Sequence, residues 1–254
     1  MTNKSARIPP GVREGGHSKI TAEEGENWAA VYRDRVDTVD DERLRWFYQQ
    51  GVVAAETPLD QVSFVALDFE TTGLSAEQDE IISIGLVPFD LNRIRLRESR
   101  YWLLKPNQGL TETSVPFHGI THSQLDDAPD LIHILEQVLA AVAGKIVVVH
   151  YRYIEREFFY TAVKKRLGEG ILFPMVDTME LEAQLYRRGI CSQIKRLLGA
   201  KQESIRLGDS RLRYSLPHYG QHHALTDAIA TAELLQAQIQ HRYSPSVPIS
   251  DLWI

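Results

Sequence analysis

Two acidic side chains, Asp68 and Glu70, follow an apolar stretch of the sequence at residues 63–67. Side chains two residues apart on a β-strand point to the same face, so a strand here presents two carboxylates together. Buried carboxylates cost free energy unless a cation lies between them, and divalent ions such as Mg²⁺ prefer carboxylate oxygens. The pair is therefore a candidate metal site, although this spacing on its own favours a solvated strand end.

His222 and Asp227 form a second group, where the last predicted helix begins. A carboxylate in the first turn of that helix can complete a metal site. A neighbouring imidazole, the side chain of histidine with an ordinary pKa of about 6.5, can accept a proton from water. The alternative is that Asp227 interacts only with the helix dipole and that His222 is a surface loop residue.

A third acid, Glu155, comes shortly after the continuous apolar run at residues 146–149. The carboxyl ends of strands in α/β sheets commonly present functional side chains, so Glu155 is a candidate third metal ligand. Taken separately, a glutamate near the start of a helix is more often a partner of the helix dipole.

Apolar periodicity predicts the elements that hold these groups. The predicted strands are residues 63–69, 80–87, 93–97, 146–149 and about 175–176. The predicted helices are residues 131–142 and 154–166 and a final helix with apolar positions from 225 to 239. Short connections between the first three strands predict an antiparallel meander, and the later alternation of helix and strand predicts an α/β fold with a mixed sheet. A helical pattern at residues 27–50 predicts an extension that packs on the main domain, because it is too short to bury its own core.

The composition is that of an ordinary globular protein, with 254 residues, 43% of them hydrophobic, and a formal net charge of −6. It excludes a collagen-like or disulfide-stapled chain, and the negative charge disfavours a protein that coats nucleic acid by bulk attraction. No run of about 18 apolar residues is present, and Cys191 is the lone cysteine. These features predict a soluble, cytoplasmic protein with no membrane partner.

Together the acidic motifs resemble the DEDDh 3′–5′ exonucleases of the DnaQ-like superfamily, the group of the bacterial polymerase proofreading subunit. The matching stretches are Asp-Phe-Glu-Thr-Thr-Gly at 68–73 and the block at 222–227, and the segments at 115–121 and 177–178 fall where the family has similar ones. The resemblance spans about residues 62–241 and implies a ribonuclease H-like α/β fold, a mixed five-stranded sheet flanked by helices.

Composition, periodicity and the resemblance together predict domain boundaries. They are a flexible leader at 1–22, a helical N-terminal extension at 23–60, the exonuclease domain at 61–243 and a C-terminal tail at 244–254.

The family mechanism is two-metal hydrolysis that releases nucleoside 5′-monophosphates from a 3′ end, with two divalent ions, Mg²⁺ or Mn²⁺. The resemblance implies that Asp68 bridges the ions, that Glu70 and Asp227 complete the tighter site, and that Glu155 supports the looser one. It assigns the role of general base to His222.

One motif departs from the family pattern. The family usually has His-Asn-x-x-Phe-Asp, whereas this chain has His-Tyr-Arg-Tyr-Ile-Glu at residues 150–155. The third acid, Glu155, is thus one methylene longer, and Tyr151 replaces the asparagine. A glutamate can still serve through water, or it can weaken the second metal or select Mn²⁺ over Mg²⁺.

The resemblance further implies contacts with the 3′-terminal nucleotide. It assigns them to backbone N–H groups near Thr71, Thr72 and Gly73, to the side chain of Leu74, and to the residues His118 and Tyr151. A locally satisfied turn histidine is an equally good interpretation of His118.

The expected partners are single-stranded or frayed 3′ ends of DNA or RNA, with DNA favoured. Arg93, Arg95 and Arg97 share one face of a predicted strand, which is typical of a solvated edge and less often guides phosphates. The C-terminal Leu252 and Trp253 loosely resemble peptides that bind sliding clamps, although a tail docked on its own domain is the more common arrangement.

Two functions from other classes remain open on the sequence. In the first, the change from aspartate to glutamate at position 155 has abolished catalysis, and the protein is a module that only binds 3′ ends. Alternatively, the chain is a proofreading or accessory subunit whose activity depends on a polymerase.

Overall fold

A five-stranded mixed sheet forms the centre of the protein in the computed structural model, which describes residues 27–107, 119–187, 202–220 and 222–254. The strands are β1 (Phe64–Thr71), β2 (Ile81–Phe89), β3 (Arg100–Leu103), β4 (Ile146–Val149) and β5 (Met175–Asp177), in the spatial order β3-β2-β1-β4-β5. The pairs β1–β2 and β2–β3 are antiparallel, whereas β1–β4 and β4–β5 are parallel. This arrangement confirms the predicted mixed sheet and places β1 at its centre.

Helices flank the sheet, as the fold class predicts. They are α1 (Trp28–Thr38), α2 (Glu42–Gln49), α3 (His122–Leu125), α4 (Leu131–Val142), α5 (Arg152–Leu167), α6 (Thr178–Tyr186), α7 (Leu207–Arg213) and α8 (Ala224–Arg242). The long helix α8 packs against β1 and β2. Buried apolar residues of β1, β2, β4 and of helices α1, α2, α4, α5, α6 and α8 form one continuous core.

The two N-terminal helices belong to that core. Asp41 caps α2 by accepting hydrogen bonds from the N–H groups of Arg43 and Leu44, and Gly51 follows the helix with a positive φ of +73°. The buried ring of Phe47 lies 6.1 Å from that of Phe173, and the Tyr48 hydroxyl accepts a hydrogen bond from the N–H of Leu172 at 3.0 Å. These helices therefore share the apolar interior of the sheet domain.

The predicted third strand at residues 93–97 is wrong. A tight turn forms after β2, because the Asp90 carboxylate accepts hydrogen bonds from the N–H groups of Asn92 and Arg93. Beyond this turn Ile94 forms one isolated bridge with Phe89, and residues Leu96–Glu98 form a 3₁₀ turn. The edge strand β3 starts at Arg100, so Arg93, Arg95 and Arg97 do not form a stripe on a strand face.

The C-terminal tail docks on the sheet edge beside β5. Met175 and Ile254 exchange backbone hydrogen bonds of 3.1 and 2.9 Å, and the side chains of Leu252 and Trp253 are 5% and 9% exposed. The two side chains are packed in the core, which is the arrangement that the alternative to the sliding-clamp interpretation predicts, a tail docked on its own domain. No helix within the described ranges is long and apolar enough to cross a membrane.

Candidate active site

Three carboxylates converge where β1 ends and α8 begins. Asp68 and Glu70 extend from the same face of β1, and Asp227 lies in the first turn of α8. One ligand oxygen from each of these acids lies within 4.8 Å of the others. The structure thus brings together three of the predicted site residues that are far apart in the sequence.

The electrostatics of this cluster favour a cation. Burial raises the pKa of Asp68 well above its ordinary value, and the charges of Glu155, Asp227 and Glu70 raise it further. Burial and the charge of Asp227 raise the pKa of Glu70 to about 8, and burial also raises the pKa of Asp227. Because these groups resist ionisation together, a divalent ion bound to their oxygens fits the donor set and relieves the repulsion.

Glu155 extends from the first turn of α5 and is 2% exposed. Its Oε2 atom has no hydrogen-bond partner among the residues that the structure describes. Burial raises the pKa of Glu155, and the charges of Asp177 and Glu70 raise it further. A buried carboxylate oxygen without a partner is costly, so Glu155 fits a fourth metal donor, although it stands outside the close three-acid group.

Gly85 explains how α8 approaches β1 so closely. Gly85 lies opposite Asp68 in the β1–β2 register. A Cβ atom at this position would lie 2.2 Å from the carbonyl carbon of Ala224 and 2.2 Å from the amide nitrogen of Leu225. Only glycine leaves room for the backbone that begins α8, and this contact carries Asp227 to the β1 carboxylates.

Asp177 holds the start of the helix that carries Glu155. Its carboxylate oxygens accept hydrogen bonds of 3.0 Å from the N–H groups of Tyr151 and Arg152. The same carboxylate accepts a 2.9 Å bond from the N–H of Met179 and so caps α6 as well. One buried side chain therefore fixes two helix starts, which positions Glu155 relative to the sheet.

His150 has a structural role beside this cap. Its Nε2 lies 3.1 Å from the carbonyl oxygen of Ile205, and its Nδ1 lies 2.8 Å from the hydroxyl oxygen of Thr178. Burial lowers the pKa of His150 to about 4, so the ring is neutral at neutral pH. Since the Ile205 carbonyl only accepts, Nε2 carries the proton.

His222 lies on the loop that leads into α8, beside the acid cluster. It is exposed and has a φ of +68°, which is uncommon for a residue other than glycine. Its N–H donates a 2.9 Å hydrogen bond to Oδ2 of Asp227. The imidazole of a loop residue anchored in this way can accept a proton close to the three carboxylates.

The turn after β1 is held by its own side chains. The N–H of Thr72 donates to the carbonyl of Glu80 at 2.9 Å, and its hydroxyl donates to Asp79 at 3.2 Å. The Thr71 hydroxyl donates to the carbonyl of Gly73 at 2.6 Å. The Thr72 N–H is therefore engaged within the turn, and the nucleotide contacts expected from the backbone near Thr71, Thr72 and Gly73 stay a prediction.

The remaining predicted substrate contacts differ in accessibility. Leu74, next in the turn, is 66% exposed and free to contact a ligand. Tyr151 is half-buried, and its ring centroid lies 5.4 Å from that of Tyr153. His118 lies outside the described residues.

Sequence reasoning gave no role to four residues that shape the site: Asp177, Gly85, Tyr101 and His223. A glycine within an otherwise apolar strand is a signal of close backbone approach and points to Gly85. An acid at the end of a short buried strand is a signal for Asp177. The rings of Tyr101 and His223 are stacked with centroids 4.6 Å apart, and nothing in the local sequence indicates that contact.

Comparison with known proteins connects this geometry to a family. The model of the RNase_T exonuclease family matches residues 65–235. An epsilon-like DNA polymerase III protein of Rhodobacter capsulatus is 30% identical over 180 residues, which cover 70% of this chain and 24% of that protein. The DNA polymerase III epsilon subunit of Treponema pallidum is 28% identical over 182 residues, 72% of this chain and 79% of that subunit.

The matched region is a small part of a PolC-type relative. PolC-type DNA polymerase III of Thermotoga petrophila is 30% identical over 179 residues, which are 70% of this chain and 12% of the polymerase.

Solved structures show the same fold. The nuclease domain of 3′hExo, a DEDDh family member bound to rAMP, superposes with a TM-score of 0.58 at 16% identity, covering 74% of this chain and 96% of that domain. Cell-death related nuclease 4 gives a TM-score of 0.54 at 23% identity, covering 74% of this chain and 67% of that nuclease. These likenesses confirm the ribonuclease H-like fold.

Proposed function

The chain belongs to the RNase_T exonuclease family, within the DnaQ-like superfamily, and we propose that it is a metal-dependent 3′–5′ exonuclease. The proposed exonuclease domain is residues 61–243, a span supported by the family match at 65–235. The observation that carries the proposal is the convergence of Asp68, Glu70 and Asp227 within 4.8 Å. This cluster supplies the oxygen donors that divalent ions prefer.

Asp68, Glu70 and Asp227 would hold one ion, and Asp68 with Glu155 would hold a second. When bound, the ions stabilise negative charge on the attacking and leaving oxygens of the phosphodiester. Either Mg²⁺ or Mn²⁺ suits this all-carboxylate set. The partnerless oxygen of buried Glu155 supports a donor role for the longer third acid.

His222 is the proposed general base. It takes a proton from the water whose oxygen attacks phosphorus, and the 3′ oxygen of the preceding nucleotide leaves as the P–O bond breaks and is then protonated. The products are a nucleoside 5′-monophosphate and a chain one nucleotide shorter. The hydrogen bond from the His222 N–H to Asp227 keeps the base beside the acid cluster during this step.

The turn after β1 and the start of α5 form the proposed seat for the 3′-terminal nucleotide. The exposed Leu74 and the backbone of Gly73 contact the base or sugar, and a Cβ atom at Gly73 would meet the Asp79 carboxylate that holds this turn. Thr71 and Thr72 shape this turn through their internal hydrogen bonds. Tyr151 immediately precedes α5, the helix that carries Glu155, and its ring is available for stacking on the terminal base.

DNA is the favoured substrate because the sequence relatives described above are DNA polymerase III proteins. Single-stranded or frayed 3′ ends suit a site that must reach a terminal phosphodiester. A polymerase is a candidate partner on the same grounds. RNA 3′ ends remain a second substrate to be tested.

The test incubates purified protein with 5′-labelled single-stranded DNA and RNA oligonucleotides and Mg²⁺, Mn²⁺ or a chelator. We expect a metal-dependent ladder that shortens from the 3′ end. Asp68→Asn, which keeps the side-chain shape, should abolish the ladder, whereas Asp60→Asn, an exposed acid outside the site, should retain it.

Three other outcomes would redirect the proposal. Binding to 3′ ends without cleavage under either metal would favour the non-catalytic module. Cleavage that appears only when a polymerase is added would favour the accessory subunit. Shortening from the 5′ end, measured with a 3′ label, would contradict the proposed direction.

A further inference from the structure

Tyr101 of the edge strand β3 is level with Asp68 of β1, a proposed metal ligand, in the cross-strand register of the sheet. Tyr101 pairs with Gly85, and Gly85 pairs with Asp68 on its other side. Directly opposite residues of antiparallel strands point to the same face, so Tyr101 and Asp68 share the face on which α8 begins. Burial raises the pKa of the Tyr101 hydroxyl, the interaction with the Ser83 side chain lowers it, and the charge of Glu70 raises it, which agrees with this proximity.

The ring of Tyr101 is stacked on His223, the residue between His222 and α8. The centroids lie 4.6 Å apart, and the ring planes differ by 17°. His223 occupies the N-cap position of α8, yet its side chain makes no capping hydrogen bond to the described helix. Its imidazole instead stacks on the Tyr101 ring, and this contact attaches the loop before α8 to strand β3.

This attachment matters because His222 has a strained backbone. A φ of +68° is unfavourable for a residue with a side chain and persists only when neighbouring contacts enforce it. On one side the His222 N–H is bound to Asp227. On the other side the next residue, His223, is fixed by the Tyr101 ring, and Ala224 rests on Gly85.

We infer that Tyr101 is a positioning residue that, through His223, holds His222 at the acid cluster. The inference rests on the proposed function, because it takes His222 as the general base. The ring of Tyr101 performs this task, since the contact with His223 is between ring faces. A phenylalanine at position 101 therefore preserves the positioning, whereas an aliphatic residue does not.

The kinetic test compares Tyr101→Leu with Tyr101→Phe, each in the wild type and in a His222→Ala background. We expect Tyr101→Leu to lower kcat at least about tenfold with little change in KM, the effect of a misplaced catalytic group. Tyr101→Phe should recover most of this loss. Tyr243→Leu, a half-buried tyrosine after the far end of α8, is the matched control for stability and activity.

The double variants separate positioning from other roles. If Tyr101 acts through His222, Tyr101→Leu causes no further loss once His222 is alanine. An equal loss in both backgrounds would overturn the inference. So would a rise in KM alone, which would indicate that the ring stacks on a substrate base instead.

Amide hydrogen exchange of residues 222–228 tests the same link without substrate or metal. We expect faster exchange in Tyr101→Leu than in the wild type, Tyr101→Phe or Tyr243→Leu, with the melting temperature as a check on folding. Unchanged exchange in Tyr101→Leu would overturn the inference. If the wild type cleaves no substrate, the proposed function fails, and the exchange result still decides whether Tyr101 holds the loop.

Discussion

Glu155 combines two properties that rarely coexist in a side chain without a ligand. It is almost completely buried, and Oε2 has no hydrogen-bond partner within the described part of the chain. Burial and the neighbouring acids raise its pKa, so ionisation of this carboxyl is costly unless a cation is close by. A bound cation would give both the charge and the free oxygen a partner, so the longer acid is compatible with the proposed catalysis.

Replacing Glu155 by glutamine tests this role. We expect Glu155→Gln to lower kcat at least about tenfold, and up to about 100-fold, because the amide is a poorer metal donor. The loss should be greater in Mg²⁺ than in Mn²⁺. The neighbouring Glu157→Gln, on the same helix, is the control, and an unchanged rate in Glu155→Gln would remove Glu155 from the metal site.

His222 can be tested directly as the proposed base. Its imidazole is the proposed acceptor of the proton from the attacking water, so His222→Ala should lower kcat by about 10²–10⁴-fold. The measurement is kcat at saturating metal, with His133→Ala, an exposed histidine of α4, as the control. An unchanged kcat in His222→Ala would remove His222 from the mechanism.

The beginning of α8 depends on one strand position. The helix backbone lies directly over Gly85, and this contact sets the distance between Asp227 and the two acids of β1. The start of α5 depends in a similar way on the Asp177 carboxylate, which accepts the N–H groups of Tyr151 and Arg152. Both helices are therefore placed by residues that are not themselves proposed metal ligands.

Gly85→Ala tests whether the contact between Gly85 and α8 sets the geometry of the acid cluster. The added Cβ meets backbone atoms, which cannot rotate away, so α8 must shift. We expect a loss of about 1–3 kcal/mol in the free energy of unfolding and a fall in activity of at least about tenfold. Gly220→Ala is the matched control, because its Cβ has no described atom within 4 Å. Equal activity in the two variants would show that the close contact does not set the site.

The stability of the entire domain is coupled to its acid cluster. Glu70 has an ordinary pKa of 4.5 and a pKa of about 8 in the folded protein. Between these values the folded protein binds more protons than the unfolded chain, so stability falls as the pH rises. Divalent ions bound to the deprotonated acids would reverse this loss, with about 2.7 kcal/mol of stabilisation at 100 times the dissociation constant.

This coupling predicts a melting profile. In chelator, the melting temperature should decrease as the pH rises from about 5 to about 8, the interval set by the raised pKa of Glu70. Mn²⁺ should restore the melting temperature at the alkaline end. Glu70→Gln should flatten the decrease in chelator, whereas Asp60→Asn should not. A melting temperature that rises over this interval in chelator, and is insensitive to Mn²⁺, would contradict the coupling.

Much of the architecture follows from local sequence patterns. The apolar run at residues 146–149 and the periodicity at residues 131–142 predict β4 and α4 with their observed bounds, because a fully buried strand and a helix buried on one face each leave a local pattern of apolar residues. The alternation of residue types at 93–97 predicted a strand that does not form, because the turn held by Asp90 and the 3₁₀ turn at Leu96–Glu98 occupy this segment. Short-range propensity could not anticipate that the edge strand begins at Arg100.

The candidate acids themselves were also visible in the sequence, because carboxylate chemistry and strand spacing are local properties. Their convergence was not, since it depends on Gly85 admitting the α8 backbone and on Asp177 bonding across from β5 to α5. The stack of Tyr101 on His223 and the docking of Trp253 beside β5 are likewise contacts between distant parts of the chain. Residue types and periodicity specified the elements and the chemistry they carry, whereas packing in three dimensions decided which side chains meet, because steric fit between remote segments leaves no local pattern.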